Sequence, residues 1–200
     1  LVSQGVITDG IITLIVFLAA AFWLTRVKAA LAEESRLART DYMTGAMNRR
    51  HFHQMAEMEI KRFNRYRRTF TVALLDLDNF KSVNDTWGHA AGDRALRLVS
   101  QTLKENLRDT DTVARIGGDE FALLLPETEA DDARTVFSHA RQRLQHVMRE
   151  NRLPVTFSIG MITFQTAPQT VSEMLHRVDG LMYHAKHNGK DRIESRVLAV

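Results

Sequence analysis

The stretch Arg115-Ile116-Gly117-Gly118-Asp119-Glu120-Phe121 decides how this chain is read. A hydrophobic approach runs into two glycines, two adjacent carboxylates and then the apolar run Phe121-Ala122-Leu123-Leu124-Leu125. Two glycines between β-like runs predict a tight hairpin with arms Thr112–Ile116 and Glu120–Leu125, because glycine supplies the positive φ such turns use. Bare backbone at the tip also lets a bulky anionic group come close. Asp119 and Glu120 leave the turn at successive positions, so one can face a site while the other faces its flank. Most carboxylate pairs at turns are only solvated. A second pair, Asp76 and Asp78 around Leu77, ends another apolar run and gives the first a partner.

Working outward, Phe70–Leu77 reads as a buried strand that delivers Asp76 to its C-terminal end. Asn79–Asp93 follows as a short helix, a turn at Trp87-Gly88 and the start of another helix, which Ala95, Leu96, Val99, Leu103 and Leu107 carry to Arg108. Before them, Asp41–Arg50 opens the folded domain, and Phe52, Met55, Ala56, Ile60 and Phe63 recur at helical spacing. After the hairpin, Thr128 with Asp131 resembles a cap for a helix with Ala133, Phe137, Ala140 and Leu144 inward. Pro154–Phe164 alternates as a strand. Thr170 with Glu173 forms a capping box for a helix that ends at Asn188-Gly189, and Arg192–Val197 supplies a last strand. Strands and helices mix without strict alternation, and one connection is a hairpin. The expected class is therefore α+β, with a central mixed, mostly antiparallel sheet flanked by helices.

At the other end, Val6–Thr25 is almost wholly apolar, long enough for a helix crossing a ~30 Å hydrocarbon core. Trp23 suits an interface, and Arg26 and Lys28 follow at once, which puts the rest of the chain in the cytoplasm. The organisation expected is a transmembrane helix in residues 1–26, a connector helix in 27–40 suited to transmitting a signal, and a domain in 41–200. A first residue Leu1 rather than Met predicts the C-terminal part of a longer protein. An apolar content of 44% supports a core, and a net charge of +3 is too small to argue for nucleic acid. The basic cluster Lys61, Arg62, Arg65, Arg67 and Arg68 reads as a solvated helix end. With no cysteine, disulfide frameworks and thiolate metal sites are excluded.

If the strands carrying them are neighbours, Asp76, Asp119 and Glu120 converge. Three carboxylates without cysteine or a histidine cluster favour Mg²⁺ or Mn²⁺ and leave room for phosphate oxygens, as in metal-assisted nucleotidyl transfer. Lys186 and Lys190 could neutralise a terminal phosphate, while Asn84 and Asp93 could hydrogen-bond a base such as guanine. The alternative treats Asn84 and Asp93 as helix caps, the lysines as surface charge and Asp76 as a turn residue.

The tip Gly117-Gly118-Asp119-Glu120-Phe121 resembles the signature of the GGDEF family of diguanylate cyclases. Asp41-x-x-Thr44-Gly45-x-x-Asn48-Arg49-Arg50 resembles that family's opening motif. Asp76-Leu77-Asp78-x-Phe80-Lys81-x-x-Asn84-Asp85-x-x-Gly88-His89-x-x-Gly92-Asp93 resembles its nucleotide-binding stretch. Ser158-Ile159-Gly160, then Asp179, Tyr183, Ala185-Lys186 and Gly189-Lys190, resemble its closing segments, so the likeness runs from about Thr40 to Val197.

The resemblance implies condensation of two GTP into cyclic di-GMP and two pyrophosphates, one GTP per domain of a homodimer. Each 3′-hydroxyl attacks the other's α-phosphate. It implies Asp76, Asp119, Glu120 and the Leu77 carbonyl at the metal, with Asp119 also accepting the proton. It implies Asn84 and Asp93 at guanine with His89 beside them, Phe80 and Lys81 on the phosphate side, and Lys186 and Lys190 at the terminal phosphates. Arg108-x-x-Asp111 matches the family's product-inhibition site; its second arginine falls by offset near His139, beside Arg134 and Arg141, and stays unassigned. A bacterial inner-membrane location, with the catalytic domain facing the cytoplasm and no nucleic-acid partner, completes the expectation. The alternative is a catalytically silent domain that binds cyclic di-GMP or GTP.

Overall fold

The computed structural model describes residues 16–28 and 39–199. The chain divides into two compact units, Leu1–Ala38 and Arg39–Val200. In the first, helix α1 covers residues 16–28 and all of its residues are exposed, Phe17 and Trp23 among them. No helix among the described residues is long and apolar enough to cross a membrane. The first part of the expected span, residues 6–15, lies outside the described residues, as do residues 29–38 of the expected connector.

The second unit is built on one six-stranded sheet. In chain order it comprises β1 (Met47–Asn48), α2 (Arg49–Tyr66), β2 (Phe70–Asp78), α3 (Phe80–Trp87), α4 (His89–Asn106), β3 (Thr112–Arg115), β4 (Glu120–Pro126), α5 (Ala130–Glu150), β5 (Thr156–Phe164), α6 (Val171–His187) and β6 (Ile193–Leu198). The spatial order is β1-β3-β4-β2-β5-β6, antiparallel through the middle and parallel at both edges. The sheet is thus mixed and mostly antiparallel, as expected.

Period-two alternation divides the core between the two faces. Ala73, Leu75 and Leu77 of β2 join Phe121, Leu123 and Leu125 of β4 beneath α4 and α5. Val72 and Leu74 join Ala122 and Leu124 beneath α2 and α6. Phe70 stacks on Phe164 at 5.1 Å on this second face. At Gly160 the backbone of α6 lies so close that an added Cβ would fall 2.2 Å from the Met182 nitrogen. Only a residue without a side chain lets the helix seat there.

Several local expectations are corrected. Gly117 and Gly118 are not among the positive-φ residues. The reversal uses more than two residues, closed by Ile116 N and Gly117 N donating to the Glu120 carbonyl (3.0 and 3.4 Å), so no primed two-residue turn is required. What Gly117 provides is space, since a Cβ there would sit 2.7 Å from Glu120 Oε2. Glu129, not Thr128, precedes the first turn of α5. The Thr128 hydroxyl instead donates to the Pro126 carbonyl (2.9 Å). The capping box at α6 forms as expected: Thr170 Oγ1 accepts from Glu173 N (3.1 Å) and the Glu173 carboxylate accepts from Gln169 N (2.8 Å). Asn84 and Asp93 are interior to α3 and α4, with Gly88 at the junction, so neither is a cap.

Candidate functional site

The strand register brings the two acidic stretches together. Asp76 of β2 lies directly opposite Glu120 of β4, with Ser158 of β5 on its other side. Cross-strand partners share a face with Cβ atoms about 5 Å apart. Leu77 N donates to the Asp119 carbonyl (3.2 Å), so the hairpin tip stays against β2 one step beyond that pair. Asp76 is only 5% exposed. Its charge meets Lys186 from the last turn of α6, whose Nζ donates to Asp76 Oδ2 at 2.7 Å.

The electrostatics follow from this crowding. Burial pushes the Asp76 carboxyl up to about 6, Lys186 opposes the shift, and Asp119 and Glu120 add to it. Burial by itself would lower Lys186, yet the hydrogen bond and charge of Asp76, with Glu120 and Asp119, hold it above its ordinary value. A carboxylate whose ionisation is disfavoured chiefly by burial, and further by adjacent carboxylates, would be relieved by an additional cation. Carboxylates with no sulfur among them are donors that suit a hard divalent ion. Among the described residues no three His, Asp or Glu side chains close at metal-ligating distance, and Asp76 is engaged by the Lys186 ammonium.

The rest of the expected site is spread around this point. Asn84 lies over Gly92, where an added Cβ would come 2.0 Å from Asn84 Oδ1 and 3.1 Å from Phe80 Cζ. Gly92 therefore gives the Asn84 amide room beside Asp93, where α3 and α4 meet. Lys81 and His89, in the first turns of those helices, are exposed. Lys190 lies beyond the Asn188 cap of α6 and is not on the helix; its Nζ donates to Asn79 Oδ1 (2.8 Å) at the β2–α3 junction.

Arg108 and Asp111 lie at the end of β3 away from the hairpin, near the C-terminus of α4. Arg108 N donates to Asp111 Oδ2 (3.0 Å), while Asp111 Oδ1 is buried without a hydrogen-bond partner and burial raises its pKa. A cavity of about 370 Å³, lined by Thr40, Gly45, Lys104, Arg108 and Asp111 among others, opens there. Of the arginines near His139, Arg141 bonds Asp191 and Arg134 reaches Ser195, so both have partners away from Arg108.

Two contributors escaped the sequence reading. Arg115 binds the Gly118 carbonyl through Nε and Nη2 (3.2 and 2.7 Å) and Asp41 through Nη1 (3.2 Å). This pair ties the hairpin tip to the opening motif, 74 residues apart, and nothing local signals it. Burial alone would raise Asp41, but bonds from Thr44 and Arg115 hold its carboxyl below the usual range. Asp78, paired with Asp76 in the sequence, is 2% exposed and accepts from Thr156, Ser158 and the Asp191 backbone. It is an anchor of the strand end.

The family model described as diguanylate cyclase, GGDEF domain, matches residues 38–192. The chain belongs to the GGDEF family. Among GGDEF proteins it is 36% identical over 170 residues to the probable diguanylate cyclase DgcC of Escherichia coli, covering 82% of this chain and 46% of that protein. It is 34% identical over 167 residues to the diguanylate cyclase DgcP of Pseudomonas aeruginosa, covering 82% and 25%. The chain thus spans less than half the length of these relatives. Its fold is similar to the coiled coil and GGDEF domain of DgcB from Caulobacter crescentus in complex with c-di-GMP, with a TM-score of 0.72 and 26% identity, covering 88% of this chain and 95% of that one. The basic cluster of α2 reads as a solvated helix end in this GGDEF domain. Arg62 binds Glu127 (2.9 Å), Arg68 lies 3.9 Å from the same carboxylate, and Arg67 ends the helix with φ 57°.

Proposed function

We propose that the chain is a diguanylate cyclase, converting two GTP into cyclic di-GMP and two pyrophosphates. The observation that carries this reading is the juxtaposition of Asp76, Glu120 and Asp119 with Lys186 at one end of the central strands. In each half-reaction a 3′-hydroxyl oxygen bonds to the α-phosphorus of the other GTP, the bond to the β-phosphate bridging oxygen breaks, and pyrophosphate leaves. Asp119 accepts the hydroxyl proton. Asp76, Glu120, Asp119 and the Leu77 carbonyl are the groups suited to hold Mg²⁺ or Mn²⁺, which when bound supplies Lewis-acid stabilisation of charge on the phosphates. Lys186 and Lys190 bind the terminal phosphates, and Phe80 and Lys81 border them. Asn84 and Asp93 read guanine beside His89, with the Asn84 amide seated where Gly92 leaves room for it.

One domain holds one GTP, so the reaction requires a homodimer. Arg108 and Asp111 bind the product, and the orphaned Asp111 Oδ1 beside the cavity supports a ligand there. Anchoring by the apolar segment in residues 6–25, with the domain on the cytoplasmic side of a bacterial inner membrane, belongs to the same proposal.

The test incubates the purified chain with GTP and Mg²⁺ and separates the nucleotides by chromatography. Cyclic di-GMP from the parent and none from Asp119→Ala or Glu120→Ala is the expected result. No product from the parent, together with cyclic di-GMP binding that Arg108→Ala abolishes, would replace the enzyme by a receptor.

A further inference from the structure

The turn after α6 carries more backbone strain than ending a helix requires. A helix end typically needs one left-handed residue, and Gly189 (φ 109°) follows the Asn188 cap. Yet the next two residues, Lys190 (φ 60°) and Asp191 (φ 47°), are also left-handed, and neither is glycine. Such conformations persist only where surrounding contacts over-determine them.

Those contacts converge on Asp191 from two elements besides its own. Its backbone nitrogen donates to the buried Asp78 Oδ2 at the end of β2 (3.1 Å). Its carboxylate accepts from Gln145 Nε2 (2.6 and 2.8 Å) and from Arg141 Nη1 (2.8 Å), and Arg141 also donates to the Asp191 carbonyl. Arg141 and Gln145 are one turn apart on α5, so they reach the turn from one helix face. The consequence falls on the residue before: Lys190 N donates to the Ala185 carbonyl (3.1 Å) and its Nζ to Asn79 Oδ1 (2.8 Å), beside the start of α3.

We infer that Arg141 and Gln145, acting through Asp191, are positioning residues that hold the strained turn so that the Lys190 ammonium is aimed at the terminal phosphates of the nucleotide. The inference rests on the role given to Lys190 under the proposed function. It also assigns Arg141 a place in the substrate site and removes it as the missing arginine of the Arg108 site. A lysine has a long, mobile side chain, so a fixed backbone beneath it reduces what must be ordered on binding.

The test measures dissociation constants of the full chain for α,β-methylene-GTP, which cannot react at the α-phosphate, and for GMP. The readout is the ratio of the two affinities. Lys190→Ala is expected to lower the triphosphate preference roughly tenfold, the worth of one charge-assisted hydrogen bond. Arg141→Leu is expected to lower it severalfold with GMP binding unchanged, and to add nothing further in a Lys190→Ala background. Gln145→Ala, a milder change, is expected to act in the same direction and serves if Arg141→Leu does not fold. Equal losses for GMP and the triphosphate analogue, or additive effects in the double variant, would overturn the clamp and leave only a structural tie. An unchanged ratio in Lys190→Ala would instead overturn the role of Lys190, and the clamp with it.

Discussion

Replacing Asp76 by Asn tests whether the site stores electrostatic strain. Asp76 is almost fully buried, and its carboxyl sits at about 6 against 3.8 for the free group, chiefly through burial, with Lys186 opposing and Asp119 and Glu120 reinforcing. A carboxyl whose pKa rises on folding binds its proton more tightly in the folded chain. Its contribution to stability is therefore present in full below 3.8 and is lost as pH rises through about 6. The difference between 3.8 and about 6, at about 1.36 kcal/mol for each step of one in pKa, amounts to roughly 3 kcal/mol. Asparagine cannot ionise and forfeits nothing in that window. Urea denaturation followed by circular dichroism, in EDTA at pH 4 and pH 8, reads the difference between variant and parent. That difference should move in favour of Asp76→Asn by about 2–3 kcal/mol from the lower to the higher pH, whatever its starting value. Adding Mg²⁺ at pH 8 should stabilise the parent and not the variant. A gap that is the same at both pH values would refute the reasoning, because it would mean that ionising Asp76 costs the fold nothing.

Gly92→Ala places a methyl on Asn84 Oδ1. Asn84 is a half-buried side chain that can swing aside, so stability should change by about 1 kcal/mol or less while discrimination of GTP from ATP falls about tenfold, read by competition binding. Gly160→Ala drives a Cβ into the backbone of α6 at Met182, which has no flexible side chain to yield. A loss of about 3 kcal/mol is expected in thermal or urea unfolding, and an unchanged melting temperature would contradict the close packing of α6 on β5. Arg115→Ala leaves Asp41 with only Thr44 bonding its carboxylate and takes Arg115 from the Gly118 carbonyl, in a pair whose side chains are 12% and 17% exposed. It should cost about 2–3 kcal/mol and speed amide exchange at Gly117–Glu120 more than in the middle of β4. Uniform acceleration along β4 would count against a local tether.

Much of the fold was legible because its signals are local. Continuous apolar runs marked β2 and β4, alternation marked β5, helical spacing marked α2, α4 and α6, and the capping box at Thr170 and Glu173 formed as written. Local pattern misled where a residue met a near neighbour in a way its type does not announce. Thr128 gave its hydroxyl to Pro126, and Gly117 supplied space for Glu120 in place of a positive φ. The two-residue strand β1 escaped notice because a strand so short has no period, and only its pairing with β3 defines it.

For the site, residue types and motif spacing were enough to put forward Asp76, Asp119, Glu120, Asn84, Asp93, Lys186 and Lys190 as candidates, because carboxylates, amides and ammonium groups declare their chemistry in one dimension. Which of them meet is a property of register and of packing across the sheet. That Glu120 lies opposite Asp76, that Lys186 engages the buried carboxylate, and that Arg115 joins Asp41 over 74 residues became fixed only when the chain closed. The raised pKa of Asp76 belongs to that second group, since burial and neighbouring charge exist only in the folded chain. So does the clamp on Asp191. Its partners on α5 and β2 are far away in sequence and come together through folding alone.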